Sequence, residues 1–452
     1  MGDWCDLPPE LLDLIAKSLD IPSDTRRFRS VCGSWRWAVP LPLPIELDIP
    51  PMKFLRSDLH QCHLRLAKHT FFHLSDPSAS SSVPAGWLIK TEEHKPGAFH
   101  FFHPFSRTST KISPPTSNLK LDVSNVKIQE LGYEYVLHNT CDADHDLCNM
   151  KQEKVAFKLL SSSNNNHDYV ILSTHNTGKL LLYRSSWPKN DNSNRKDNYN
   201  EGEWEFLDDF NLGYDERSIF VNDWSLHYVD VVEYQGTFYA VTNSGRTVSI
   251  GLNVNQADER RAEAEGLSSC VTVTLLTKSM IGGDRKCLVK SKDDLLMVDL
   301  YTCPTRGVVK VHAVEIFKLD KEEQRWILLK DLGDRALFLS NHSCFAATGL
   351  PGCKGNSIYF HLKNWDCNKE DQDQDQIKNH GSSGDDFNVW RQQDEIGVFD
   401  YDKGTAGFLP EYLQDPQLFA RPTPVWYIDI YGEGTLKMTK PNTSYLKPSH
   451  AL

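Results

Sequence analysis

The sequence predicts an α+β multidomain protein, a small all-α segment at the N-terminus followed by an all-β propeller. Three observations carry this. Apolar residues repeat at helical spacing between Leu7 and Trp35. Pro40, Pro42 and Pro44 then end helix formation, because proline lacks the backbone N–H and clashes with the preceding turn. Beyond them short β-rich runs alternate with polar turns, and long helical periodicity is scarce.

In the N-terminal segment Leu7, Leu11, Leu12, Ile15 and Leu19 recur at helical spacing. Pro8 and Pro9 fall in the opening turn, where a missing N–H is tolerated. A second helix is predicted with Ser23 and Asp24 as caps and Phe28, Val31, Cys32 and Trp35 at i, i+3, i+4 and i+7. So short a segment cannot bury this stripe on itself, since domains below about 40 residues rarely fold without a metal, disulfides or a partner. The stripe is therefore expected to meet another protein; the alternative is an amphipathic hairpin packed on the rest of the chain.

The β region begins with Gly86–Lys90 and continues with Asp168–Leu172, Lys179–Tyr183, His227–Val232, Thr237–Val241 and Leu295–Val298. Turn residues Glu233–Gly236 and Thr242–Arg246 link two of these runs and Thr247–Ile250 into a three-stranded meander that makes most of one blade. Val308–Leu319, a polar turn at 320–324 and the return Arg325–Leu329 repeat the theme. Gly202–Leu207 echoes the tryptophan-bearing return, and Asn356–Phe360 with Ile396–Asp400 adds another pair. Radial repetition protects sheet edges, so many hairpins over so long a stretch favour a propeller over a sandwich, with about five to seven blades at four strands each. Polar loops are expected at 161–166, 189–200, 256–269 and 369–387.

The residues also carry a resemblance. Leu7-Pro8, the Leu/Ile helix after it and Arg27-x-x-x-Val31-Cys32-x-x-Trp35-Arg36 resemble an F-box, the motif that docks on a Skp-type adaptor in cullin-based ubiquitin ligases. Leu295–Val298, Val314–Leu319, Trp326, Leu332–Leu339, Gly352–Phe360 and Pro424–Trp426 resemble the blocks of a large plant family that pairs an F-box with a kelch-like propeller, the 332–360 block being the most specific. The resemblance implies four regions: an F-box over 1–45, a linker over 46–85, a propeller of degenerate repeats over 86–435 and a tail over 436–452. It further implies a substrate receptor of an SCF (Skp–cullin–F-box) ubiquitin ligase, noncatalytic, whose adaptor contacts come from Leu7, Pro8, Leu11, Leu12, Ile15, Val31, Cys32 and Trp35. The partners are then the adaptor, through it a cullin, and a protein target that the sequence does not name. Alternatives are a propeller enzyme or small-molecule sensor capped by the hairpin, and an F-box scaffold outside ubiquitin transfer.

Bulk properties agree with this class. The 452 residues are 39% hydrophobic and 11% aromatic, enough for a packed core, and no apolar stretch reads as a membrane span. Met1–Asp6 lacks a basic and then apolar leader, so no secretion signal is expected, and Asp6 stands where a myristoylation motif needs Ser or Thr. Eleven cysteines without regular spacing suit reduced thiols in the cytoplasm or nucleus. A net charge of −12 disfavours nonspecific nucleic-acid binding, and the aromatic run Phe99–Phe105 is read as a buried strand.

No metal or cofactor is expected. Cys141, His145 and Cys148 lack a second ligand pair at zinc-site spacing. Asp142, Asp144, Asp146 and Glu153 fit four positions of a calcium loop, but Leu147 replaces its glycine and helical flanks are missing, so an acidic turn is expected. His60-Gln61-Cys62-His63 reads as linker, and Asp331-Leu332-Gly333 as a turn, since no kinase-type Gly-rich or His-Arg-Asp loop precedes it. Gly-x-Ser-x-Gly, His-Glu-x-x-His and Walker-type signatures are absent from the sequence.

Overall fold

The computed structural model describes residues 7–17, 28, 31–38, 47–50, 64–75, 86–95, 98–105, 127–139, 154–163, 166–175, 177–188, 199–207, 227–252, 271–278, 282–305, 308–340, 343–361, 396–408 and 418. Among the described residues two helices, α1 (Pro9–Lys17) and α2 (Gly33–Ala38), precede twenty-two strands. Strands β1 (Leu47–Ile49), β2 (Leu64–Ser75), β3 (Gly86–Lys95), β4 (Ala98–Phe102) and β5 (Lys127–Asn139) pair in the order β4-β3-β2-β5, with β1 added to β2. Next come β6 (Val155–Ser163), β7 (Asn166–Thr174), β8 (Leu180–Pro188) and β9 (Tyr199–Leu207), paired in sequence and joined to β5 only at Tyr135↔Val155.

The third sheet holds β10 (Tyr228–Tyr234), β11 (Thr237–Thr242), β12 (Thr247–Leu252) and β13 (Val271–Thr277). The fourth holds β14 (Arg285–Ser291), β15 (Asp294–Thr305), β16 (Val308–Asp320) and β17 (Arg325–Leu329). The last is built from β18 (Arg335–Leu339), β19 (Cys344–Thr348), β20 (Ser357–His361), β21 (Ile396–Asp400) and β22 (Thr405–Phe408), in the order β19-β18-β20-β21-β22. Hairpin partner β19 fills one edge of β18, so the returning β20 takes the other edge and runs parallel to β18.

Side-chain alternation explains why these sheets close into a propeller. Successive strand residues point to opposite faces. In β7, Ile171 faces a core shared with the first sheet, while Val170 and Leu172 face one shared with the third. Phe238 and Ala240 of β11 face the second sheet, and Tyr239 and Val241 the fourth. Leu296 and Val298 of β15 meet the last sheet, and Ala336 and Phe338 of β18 return to Phe71 and Leu88 of the first. Each apolar cluster thus lies between two successive sheets, and the fifth joins the last sheet to the first. Five blades result, within the expected range, and middle strands such as β11, β20 and β21 are buried on both faces, so they read as near-continuous apolar runs.

Turn chemistry sets the register. Gln235 and Gly236 both have positive φ, 48° and 83°, as a two-residue I′ hairpin between Tyr234 and Thr237 requires. The Trp-bearing returns play matching parts: Trp204 Nε1 of β9 donates to the Pro50 carbonyl at 3.0 Å, and Trp326 Nε1 of β17 to Thr247 Oγ1 at 3.0 Å. Each ties an outer strand to the preceding blade.

Three expectations change. Residues 64–75, placed in the linker, form β2 between β3 and β5, because both of its faces are buried, Leu64 and Leu66 on one and His69, Phe71 and His73 on the other. Ser161–Ser163 extends β6 and Asn166 opens β7, where a longer loop was expected. The second helix does not run unbroken from Ser23: Val31 and Cys32 leave the helical path and α2 starts only at Gly33, a weak helix former. The loops at 256–269 and 369–387, the acidic cluster 141–153, residues 60–63 and 424–426 lie outside the described residues.

Candidate functional site

Two regions are candidates for a site. At the N-terminus the Pro8 carbonyl accepts from the Leu11 and Leu12 amides at 3.0 and 3.1 Å, opening α1. Leu12, 1% exposed, packs on Phe28, with Leu7 and Trp35 beside them, and the Phe28 and Trp35 rings lie 4.3 Å apart. These four side chains form the interior of the helical pair. Leu11 (46% exposed), Leu14 (62%), Ile15 (37%) and Val31 (53%) point outward, and Pro8 is exposed as well. Cys32 is half-buried, its thiol 3.0 Å from Ser34 Oγ. Of the eight residues expected at the adaptor surface, Leu7, Leu12 and Trp35 therefore face inward, and Leu14 joins the outward set. Helical spacing brought both groups to notice; only packing separates them.

The second region is the centre of the propeller. Strand β5 touches β6, β6 touches β10, β10 touches β14, β14 touches β19 and β19 touches β5, so one strand of each blade lines the axis. They enclose a cavity of about 70 Å³ bordered by Tyr133, Glu134, Lys154, Asp230, Lys290 and Cys344. Its floor is a charge network. Glu134 Oε1 accepts from Lys90 Nζ at 3.2 Å and Ser343 Oγ at 3.0 Å. Burial would raise its pKa, but Lys90, His69 and Lys154 hold the carboxyl well below the usual range. Asp230 accepts the amides of Val231 and Leu288 at 2.9 and 2.8 Å. Lys154 Nζ lies 4.0 Å from Asp230 Oδ2 and 3.5 Å from Cys344 Sγ. Burial would discharge Lys154, yet Asp230 and Cys344 outweigh it and keep the ammonium titrating above the ordinary lysine range.

Above this floor the cavity wall is aromatic and cationic. Lys290 Nζ sits 4.7 Å and Lys68 Nζ 4.2 Å from the Tyr133 ring centre. Burial lowers the Lys290 pKa, with Glu233 opposing. The cavity is far smaller than the roughly 300–1,000 Å³ typical of metabolite pockets. From the sequence none of these residues is assigned to a site, Lys90 and Asp230 standing only within strand runs, because they come from five blades with no local motif.

Other singled-out residues are structural. Asp331 Oδ1 accepts the Gly333 amide at 2.7 Å and Gly333 has φ +66°, making the expected turn. Phe102, His103 and Phe105 are buried at the end of β4, as the aromatic run predicts. Among the described residues no helix is long and apolar enough to cross a membrane.

The comparisons with known proteins agree with this architecture. The family model described as the KIB1-4 beta-propeller matches residues 54–400. The chain is 28% identical to F-box protein SKIP23 of Arabidopsis thaliana, over 94% of this chain and 95% of that one. It is 26% identical to F-box protein At2g17036 over the same shares, and 26% identical to the putative F-box/kelch-repeat protein At5g24040 over 80% of this chain and 87% of that one, both from Arabidopsis thaliana. No solved structure matches. The matched span runs through all five blades as far as β21, and the chain belongs to the KIB1-4 beta-propeller family.

Proposed function

We propose that this protein is a noncatalytic substrate-recognition subunit of an SCF-type ubiquitin ligase. In this reading the N-terminal helical pair is an F-box that docks on a Skp-type adaptor, and the propeller holds a protein target. The observation that carries it is the division of the helical pair into a closed interior around Leu12 and an outward apolar set of Leu11, Leu14, Ile15 and Val31. Exposed apolar side chains grouped on so short a segment mark an interaction surface, and relatives covering nearly the whole chain are named F-box proteins. The adaptor in turn brings a cullin. Catalysis is then proximity: holding a target lysine beside a charged conjugating enzyme makes the encounter effectively intramolecular. The axial cavity admits one side chain of the target, and the free thiols at Cys287, Cys303 and Cys344 suit the reducing cytoplasm or nucleus.

Co-purification of the full chain with a Skp-type adaptor tests the reading. Wild type should co-elute, whereas the variant carrying Leu11→Asp and Val31→Asp should not. A wild-type chain that ignores the adaptor, or ubiquitin transfer by the chain with only activating and conjugating enzymes present, would overturn it.

A further inference from the structure

The first blade places two histidines and a carboxylate around one point. Across the sheet His69 of β2 is in register with Glu92 of β3 on one side and Glu134 of β5 on the other. His69 Nε2 lies 2.8 Å from Glu92 Oε2, and His138 Nε2 of β5 reaches the same oxygen at 3.1 Å. The opposite nitrogen, His69 Nδ1, lies 3.3 Å from Glu134 Oε1. A neutral imidazole has one N–H and one lone pair. It can donate to only one of its two carboxylate neighbours; either an imidazolium, with two N–H groups, or an imidazole bound to a cation through Nε2 satisfies both.

We propose that His69 Nε2, His138 Nε2 and Glu92 Oε2 form a three-ligand site for a zinc ion. Tetrahedral zinc with bonds of about 2.0–2.1 Å needs roughly 3.3 Å between ligand atoms; the two spacings to Glu92 Oε2, 2.8 and 3.1 Å, are slightly shorter than this, and all three ligand atoms lie within 4.8 Å of one another. The surroundings supply what such a site needs. With Nε2 on the metal, Nδ1–H donates to Glu134, the carboxylate–histidine–metal relay that fixes ring orientation. Arg65 Nη2 holds Glu92 Oε1 at 3.0 Å, which aims Oε2 inward. The Phe102 ring packs 4.8 Å from His69 and walls the site with carbon. His69 is fully buried, whereas the His138 side chain is 29% exposed, so an ion enters from the His138 side and its fourth position falls to water there. Two imidazoles with one carboxylate favour zinc over calcium or magnesium. The other such cluster, Asp230, Cys287 and Cys344, already has a cation beside it in the Lys154 ammonium.

Titration calorimetry of the full chain with zinc chloride, after dialysis against a chelator, tests the site. One zinc per chain is expected, with magnesium and calcium chloride giving no saturable binding. His138→Ala should abolish that binding while the chelated protein keeps its β-sheet circular dichroism and melting temperature, because His138 lies at the open edge. Glu134→Gln should weaken zinc roughly 10–100-fold through the relay. The inference fails if wild type takes up no zinc, or if His138→Ala binds zinc as wild type does. Binding lost in the variant with Cys141→Ser and Cys148→Ser, but kept in His138→Ala, would also overturn it and move the ion to that cluster.

Discussion

Lys154 Nζ lies 3.5 Å from Cys344 Sγ, a contact that spans the axis from the second blade to the fifth. The hydrogen bond from Cys287 pulls the Cys344 thiol below its usual range; burial opposes this and Lys154 reinforces it, while the Cys287 thiol is raised well above its own. The thiolate is the reactive form. Cys344 should therefore alkylate faster than Cys287 at neutral pH, and Lys154→Met, which removes a cation that favours the thiolate, should slow it. Mass spectrometry of iodoacetamide-treated protein, with the exposed Cys303 as internal reference, reads both rates.

The helical pair separates stability from binding. Leu12→Ala removes the plug between α1 and Phe28 and should cost about 2–5 kcal/mol. Hydrogen exchange should then show α1 amides unprotected. Leu11→Ala with Ile15→Ala changes outward side chains and should alter stability by no more than about 0.5 kcal/mol each, yet weaken adaptor binding by orders of magnitude. Equal adaptor affinity in this folded double variant would remove both residues from the interface.

In the fourth blade Lys286 Nζ donates to Asp299 Oδ1 at 2.9 Å and to the Gly283 carbonyl at 2.8 Å, while the Gly283 amide donates to Asp299 Oδ2 at 2.9 Å. Both charged side chains are essentially inaccessible, at 1% and 0% exposure. Lys286→Met leaves Asp299 buried without its cation, which should destabilise the propeller by about 3–5 kcal/mol. Lys286→Met with Asp299→Leu should recover part of the loss in urea unfolding, because no unpaired charge remains.

His103 supplies a pH dependence. Burial, then the neighbouring His361 and Lys90, lowers its imidazole from 6.5 to about 3. Below pH 6.5 the unfolded chain binds a proton that the native chain refuses until about pH 3, so this contribution is complete above 6.5 and is lost as pH falls across that window. Melting temperature should drop between pH 7 and 4, and His103→Leu should flatten the drop. An unchanged profile would show that another group sets it.

The fold was legible because strand alternation and turn chemistry are local. The meander of β10–β12, the long β16 with its polar turn and the Trp-bearing returns stand where the runs predict them. Segment 64–75 was harder to read: Lys68, His69 and His73 break its apolar run, and their burial depends on partners such as Glu92 on another strand.

By itself the sequence determined the helical N-terminus, the all-β body and the type of most strands, since period and turn residues act over a few neighbours. Tertiary structure alone decided the closure into five blades, the inward turn of Leu12 and Trp35 against the outward turn of Leu11, Leu14 and Val31, and the meeting of His69, Glu92 and His138. Those outcomes depend on which residues lie opposite one another across strands and helices, and closing the ring brings together side chains far apart in the chain, where no spacing rule records the encounter.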